Sequence, residues 1–208
     1  MEEFHKRIDQ LKNQTENMAN FAIEMLEGAV QAFIDRDIAK AKQIHEKRHQ
    51  LRKWDDQIER EALKLLTLYQ PLASDMRKIG SILKIITYLN RVGRYGKDIA
   101  KLTFKFENVQ HFKKLVSIPQ MAHDVISMLH DAITAFKSHN IEKIKVSEME
   151  ERDDVVDELR YSIFRECVSY MMENPSLITT GSYYIMIARY LERCGDHACR
   201  IAEKVHYM

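Results

Sequence analysis

Apolar residues recur at three- and four-residue steps along most of the chain. Phe21, Met25, Ala29, Ala32 and Phe33 illustrate the pattern, a spacing that lines one side of a helix. A many-stranded β fold of 208 residues would need turn formers throughout, and six glycines and three prolines are too few. The chain is therefore expected to be all-α. The periodicity predicts helices near 3–34, 37–69, 72–107, 119–137, 140–173 and 177–206. Several exceed the average globular helix, as in an extended bundle with short connections.

The six helices fall into two similar sets of three. Met25-Leu26 through Ala32-Phe33 is echoed by Met128-Leu129 through Ala135-Phe136, and Asp37-Ile38 by Asn140-Ile141, at one offset of 103. Leu89-Asn90-Arg91-Val92-Gly93-Arg94 is echoed by Leu191-Glu192-Arg193-Cys194-Gly195-Asp196 at an offset of 102. Glycine inside a helix costs about 1 kcal/mol relative to alanine, so Gly93 and Gly195 at matching places argue for duplication rather than chance likeness. The expected architecture is two tandem antiparallel three-helix bundles. Residues 1–110 form the first and 111–208 the second, joined by the polar stretch from Glu107 to Pro119.

Charge and composition remove several classes of function. Lys and Arg total 32 against 31 Asp and Glu, so nothing global favours nucleic acid or an anionic membrane. Cys167, Cys194 and Cys199 form no CxxC pair and read as small buried hydrophobes in a reducing compartment. No segment reaches the roughly 20 apolar residues of a membrane span, and no apolar stretch follows the first residues as in a signal peptide. A cytoplasmic protein is expected, touching the membrane only through partners.

The strongest chemical constellation lies in the second set of helices. Asp153 and Asp157 sit four residues apart on the fifth helix, Glu192 and Asp196 likewise on the sixth, so each pair projects from one face. Adjacent antiparallel helices would bring four carboxylates together, and a cation would compensate their repulsion. Oxygen donors suit Mg²⁺, Ca²⁺ or Mn²⁺, and iron also accepts carboxylates. Taken singly, either pair is also what a solvated helix face looks like. Glu192 and Asp196, however, interrupt a largely apolar run from Tyr183 to Ala202.

The corresponding places in the first set are opposite in character. Asn90 and Arg94 stand against Glu192 and Asp196, and aligning the helix registers sets Arg48 and Arg52 against Asp153 and Asp157. Such a cluster would hold an anion, or bridge to Asp55, Asp56 and Asp98, with bridging the favoured expectation. The spacing Glu-x-x-His occurs at Glu2/His5, Glu46/His49 and Glu203/His206, and each is expected to be a surface pair. Ser74 or Asp75 is expected to cap the third helix after Pro71. P-loop, dinucleotide, zinc-ribbon and nucleophile-elbow motifs do not occur.

Gln70-Pro71-Leu72-Ala73-Ser74-Asp75-Met76-Arg77 resembles the QPxAxDLR segment of the PhoU family. Leu191-Glu192-Arg193-Cys194-Gly195-Asp196 is similar to its LERxGD motif, and Tyr170-Met171-Met172-Glu173-Asn174-Pro175 fits the matching stretch of its second repeat. The resemblance covers essentially the whole chain. It implies a regulator of phosphate uptake and phosphate-starvation signalling that is not an enzyme. The implied partners are the ATPase of the phosphate ABC transporter and a phosphate-sensing histidine kinase, with a homodimer also open. It further implies an E/DxxxD motif on the second and third helices of each repeat, holding multinuclear iron or another metal such as Mn, Mg or Zn. Asp153, Asp157, Glu192 and Asp196 keep that motif; the aligned Arg48, Arg52, Asn90 and Arg94 depart from it, so one metal site is expected rather than two. The competing readings are a metal-dependent oxidase or hydrolase, with His197 as the obvious base, and a metal-free structural adaptor.

Overall fold

The computed structural model describes residues 2–138 and 144–208. Among these there is no strand, and seven α-helices carry the fold: α1 (Glu2–Asp35), α2 (Ile38–Glu46), α3 (Arg48–Tyr69), α4 (Ala73–Thr103), α5 (Ser117–Ser138), α6 (Val146–Glu173) and α7 (Ile178–Tyr207). Helices α2 and α3 occupy the place of one expected helix, 37–69, with the single residue Lys47 between them. The beginning of the expected helix 140–173, with the Asn140-Ile141 echo, lies outside the described residues up to position 143.

Local chemistry accounts for the turns. Arg36 takes the left-handed conformation (φ 54°) after α1, and Asp37 then caps α2 by accepting a hydrogen bond from the Lys40 amide at 2.9 Å. Gln70 ends α3 in the left-handed region (φ 44°), just before Pro71. The expected cap on the next helix is not made. Leu72 occupies the cap position without a side-chain bond, and Asp75 instead lies buried in the first turn, 3.0 Å from Lys78 Nζ.

Helices α1, α4, α7 and α5 pack side by side in a closed ring, with α2 and α3 against α1 and α4, and α6 against α5 and α7. Tyr88 stacks near His197 while Tyr95 stacks on Tyr190, so α4 and α7 run antiparallel across the junction between repeats. Their buried apolar faces, including Ile82, Ile85, Leu89, Ile187, Leu191 and Ala198, lie in one continuous core. The three cysteines are buried free thiols, as expected. No helix of the described residues is long and apolar enough to cross a membrane.

Candidate metal centre and its counterpart

The mid-helix glycines set the register on which the site depends. A Cβ added to Gly195 of α7 would lie 2.6 Å from Asp153 Oδ1 and 3.5 Å from Val156 Cγ1 of α6. Only a residue without a side chain lets the Asp153 carboxylate approach α7 so closely. That Oδ1 is buried and has no hydrogen-bond partner among the described residues. Burial, followed by the charges of Asp196, Asp157, Glu192 and Asp154, raises the Asp153 pKa to about 7.

Glu192, one turn earlier on α7, is only 7% exposed. Arg189 donates from Nη1 to its Oε1 at 2.5 Å, whereas its Oε2 is buried without a hydrogen bond and has Arg193 Nε 3.7 Å away. Burial lifts its pKa, opposed most strongly by Arg189. Asp196 accepts from Arg193 Nη1 at 2.9 Å, and Asp157 is half-buried on α6. Cys199 donates to the Met149 carbonyl at 3.4 Å; burial, then Asp153 and Asp196, push its thiol up to about 12. As the side chains stand, no three His, Cys, Asp or Glu groups among the described residues converge as a ready metal cage. The donor chemistry nevertheless fits a hard cation: two carboxylate oxygens are buried and lack hydrogen bonds, and Glu192 and Asp196 lean on arginines that are themselves partly exposed.

In the first repeat, the residue a Cβ on Gly93 would strike is Leu51 of α3. Leu51 therefore packs on Gly93 as Val156, 3.5 Å from a Cβ on Gly195, packs on the second glycine, and the buried pairs Ile44/Met149, Leu51/Val156, Ile58/Ile163 and Ala62/Cys167 share one offset of 105. The counterpart of the acid set is accordingly Arg48 and Arg52 on α3 with Asn90 and Arg94 on α4, the register that keeps the apolar stripe inward in both repeats. The first repeat thus retains none of the four acids, and Asn90 Nδ2 donates to the nearby Asp55.

Arg48, Arg52 and Arg94 make no ion pair within 4 Å among the described residues. Arg48 Nη1 is buried without a hydrogen bond, Arg52 is exposed, and Arg94 lies 5.5 Å from the Tyr95 ring centroid. Glu2, His5, Glu46, His49 and His206 are exposed and Glu203 pairs with Arg200, so the Glu-x-x-His spacings are surface features. His197 is neither a free surface base nor in hydrogen-bond contact with the acids. It stacks against Tyr88 and Tyr95, and burial lowers its pKa to about 4.

Residues of the connecting segment went unmarked by sequence patterns. His111 Nε2 is 3.1 Å from both the Phe33 and Ile34 carbonyls, which can only accept, so that nitrogen carries the proton. Nδ1 then accepts from the Tyr184 hydroxyl at 2.5 Å. Phe112 packs on Tyr184 and Tyr170, and Lys113, whose side chain is 5% exposed, donates to Glu166 of α6. A polar run with a single histidine carries no signal of this before folding joins α1, α6 and α7 around it.

Two stretches, residues 15–103 and 118–205, each match the family model of the PhoU domain. The chain belongs to the PhoU family. A phosphate-specific transport system accessory protein PhoU homolog of Rhizobium meliloti is 31% identical over all of this chain and 87% of its own length. One from Clostridium acetobutylicum is 29% identical over 99% of this chain and 93% of its own. The crystal structure of PhoU from Pseudomonas aeruginosa superposes with a TM-score of 0.93 at 30% identity, covering 98% of this chain and 97% of that one. The phosphate transport system regulatory protein PhoU from Streptococcus pneumoniae gives 0.89 at 26%, covering 98% and 95%. The doubled helical fold is thus the PhoU fold.

Proposed function

We propose that this PhoU-family chain is an accessory regulator of phosphate uptake and phosphate-starvation signalling. It acts by binding other proteins, and its second repeat holds a metal ion. The homologues' names support the association with phosphate transport. Its proposed partners are the transporter's cytoplasmic ATPase and a phosphate-sensing histidine kinase, met by two units, residues 1–110 and 111–208.

The observation that carries the metal reading is Asp153 Oδ1, buried against Gly195 with no hydrogen-bond partner among the described residues and with four further acids, Asp154, Asp157, Glu192 and Asp196, in electrostatic range. Asp153, Asp157, Glu192 and Asp196 would hold the ion, with iron, manganese, magnesium or zinc as candidates. Its role is structural or sensory: the charge would draw α6 and α7 together and free Glu192 and Asp196 from their arginines. A catalytic reading has less to rest on, since His197 is held against two tyrosine rings with its Nε2 buried and making no hydrogen bond to an acid among the described residues.

The test measures metal content and co-purifying partners together, for wild type and Asp196→Ala. Stoichiometric metal that falls in the variant, with capture of the transporter ATPase by wild type, supports the reading. Wild-type protein without metal above background, and with no thermal shift on adding Fe²⁺ or Mn²⁺, overturns the metal part. Failure to capture either proposed partner overturns the regulatory part.

A further inference from the structure

The first repeat keeps the glycine cradle of the acid site while losing its chemistry. Arg48 and Arg52 fill the places of Asp153 and Asp157, and the nearby acid Asp55 already accepts a hydrogen bond from Asn90. A cation has no reason to settle there. One turn before Leu51, Arg48 at the start of α3 points a guanidinium inward, and its Nη1 is buried with no hydrogen-bond partner among the described residues. An unsatisfied buried donor on a charged group is costly, and most such groups in folded proteins have an acceptor.

The neighbours of Arg48 do not supply one. Arg94 and Arg52 are close enough to repel it, and Asp55 and Asp98 are close enough to attract it. Asp98, however, pairs with Lys97 at 2.8 Å, and Asp55 is engaged by Asn90. Arg52 and Arg94 are both exposed, so their long side chains can turn toward a common acceptor without repacking the core. Guanidinium forks match tetrahedral oxyanions in bidentate geometry, which makes three converging arginines an acceptor-seeking set.

We propose that the junction of α3 and α4 binds a small tetrahedral oxyanion of the phosphate or sulfate type, with Arg48 Nη1 as the innermost donor and Arg52 and Arg94 closing over it. This site lies in the opposite repeat from the carboxylates and does not depend on the metal reading. The two repeats would then carry sites of opposite sign on one duplicated scaffold.

The experiment is calorimetric titration of the full chain with inorganic phosphate and, separately, sodium sulfate, at fixed ionic strength set with sodium chloride. It is run with and without a chelator. Wild type should bind phosphate in both conditions, and Arg48→Gln and Arg94→Gln should each weaken binding about tenfold or more, the loss of one charge-assisted bond. Arg94→Lys, which keeps the charge without the fork, should fall between, and circular dichroism checks that each variant is folded. Sulfate binding to wild type but not to Arg48→Gln supports a general tetrahedral-anion site; phosphate binding alone supports one that also reads the phosphate proton. Binding of neither anion by wild type overturns the proposal. So does phosphate binding that survives Arg48→Gln but vanishes with chelator, because the anion would then sit on a metal in the second repeat.

Discussion

Asp153 Oδ1 lies 2.6 Å from the point where a Cβ on Gly195 would stand, nearer than the apolar Val156 Cγ1 at 3.5 Å, so a carboxylate of α6 makes the closest approach to α7 at this glycine. Because that oxygen is the end of a flexible side chain, Gly195→Ala should leave stability within about 1 kcal/mol of wild type, helped by alanine's better helix propensity. It should nevertheless weaken metal binding by turning Asp153 away. Gly96→Ala is the contrasting case, since its Cβ would meet backbone atoms of Met25 and Leu26 at 2.9 Å. Thermal unfolding should show a loss of about 2 kcal/mol there, because backbone cannot step aside.

Asp153→Asn should act in opposite directions on stability and on metal. In the folded chain the Asp153 pKa is raised from 3.8 to about 7, so the folded state holds the proton more tightly than the unfolded one. The group's contribution to stability is therefore lost as pH rises from about 4 to 7 and stays lost above that. At pH 8 without metal, the neutral amide should stabilise the fold by about 1–2 kcal/mol, a figure that discounts the shift for solvent screening. Metal affinity, read by competition with a chromogenic chelator, should fall. A variant less stable than wild type at pH 8 without metal would contradict the charge account.

His111 predicts a slope of the other sign. Burial lowers its pKa in the folded state, opposed by its hydrogen bonds to Ile34 and Phe33. As pH falls below about 6.5, the unfolded chain takes up a proton first, so stability drops with acidification. His111→Gln should flatten that part of the stability curve in denaturant titrations between pH 7 and pH 5. It should also cost about 1 kcal/mol at pH 7 through the lost Tyr184 bond.

Lys113 and Glu166 should respond asymmetrically to removal. Lys113 is 5% exposed in its side chain and Glu166 38% exposed. Glu166→Ala leaves a buried ammonium without its partner and should cost about 2–3 kcal/mol. Lys113→Met leaves a carboxylate that water already reaches and fills the space with apolar atoms, so it should stay within about 1 kcal/mol of wild type. Urea denaturation of the two variants separates these expectations.

The register of the two repeats makes a constructive prediction. Arg48→Asp, Arg52→Asp, Asn90→Glu and Arg94→Asp together rebuild the second repeat's acid set in the first. Where wild type binds metal in one repeat, elemental analysis of the quadruple variant should give about twice the wild-type content. An unchanged content would mean that glycine cradle and acids together do not suffice.

Sequence alone determined the helical class and the duplication, and marked out the acids of the second repeat as a candidate set, because helical periodicity and residue type are local properties that survive without coordinates. The equivalence of Gly93 with Gly195 was legible for the same reason. That Leu51 is the side chain packed on Gly93 was not, because it depends on how far α3 slides along α4, which α3's own sequence leaves open. The break at Lys47, the wedging of His197 between tyrosines of the other repeat and the fastening of the connector by His111 and Lys113 are likewise tertiary. Each joins residues far apart in the chain, and only packing of one helix on another decides which polar atoms are buried with a partner and which, like Asp153 Oδ1 and Arg48 Nη1, are buried without one.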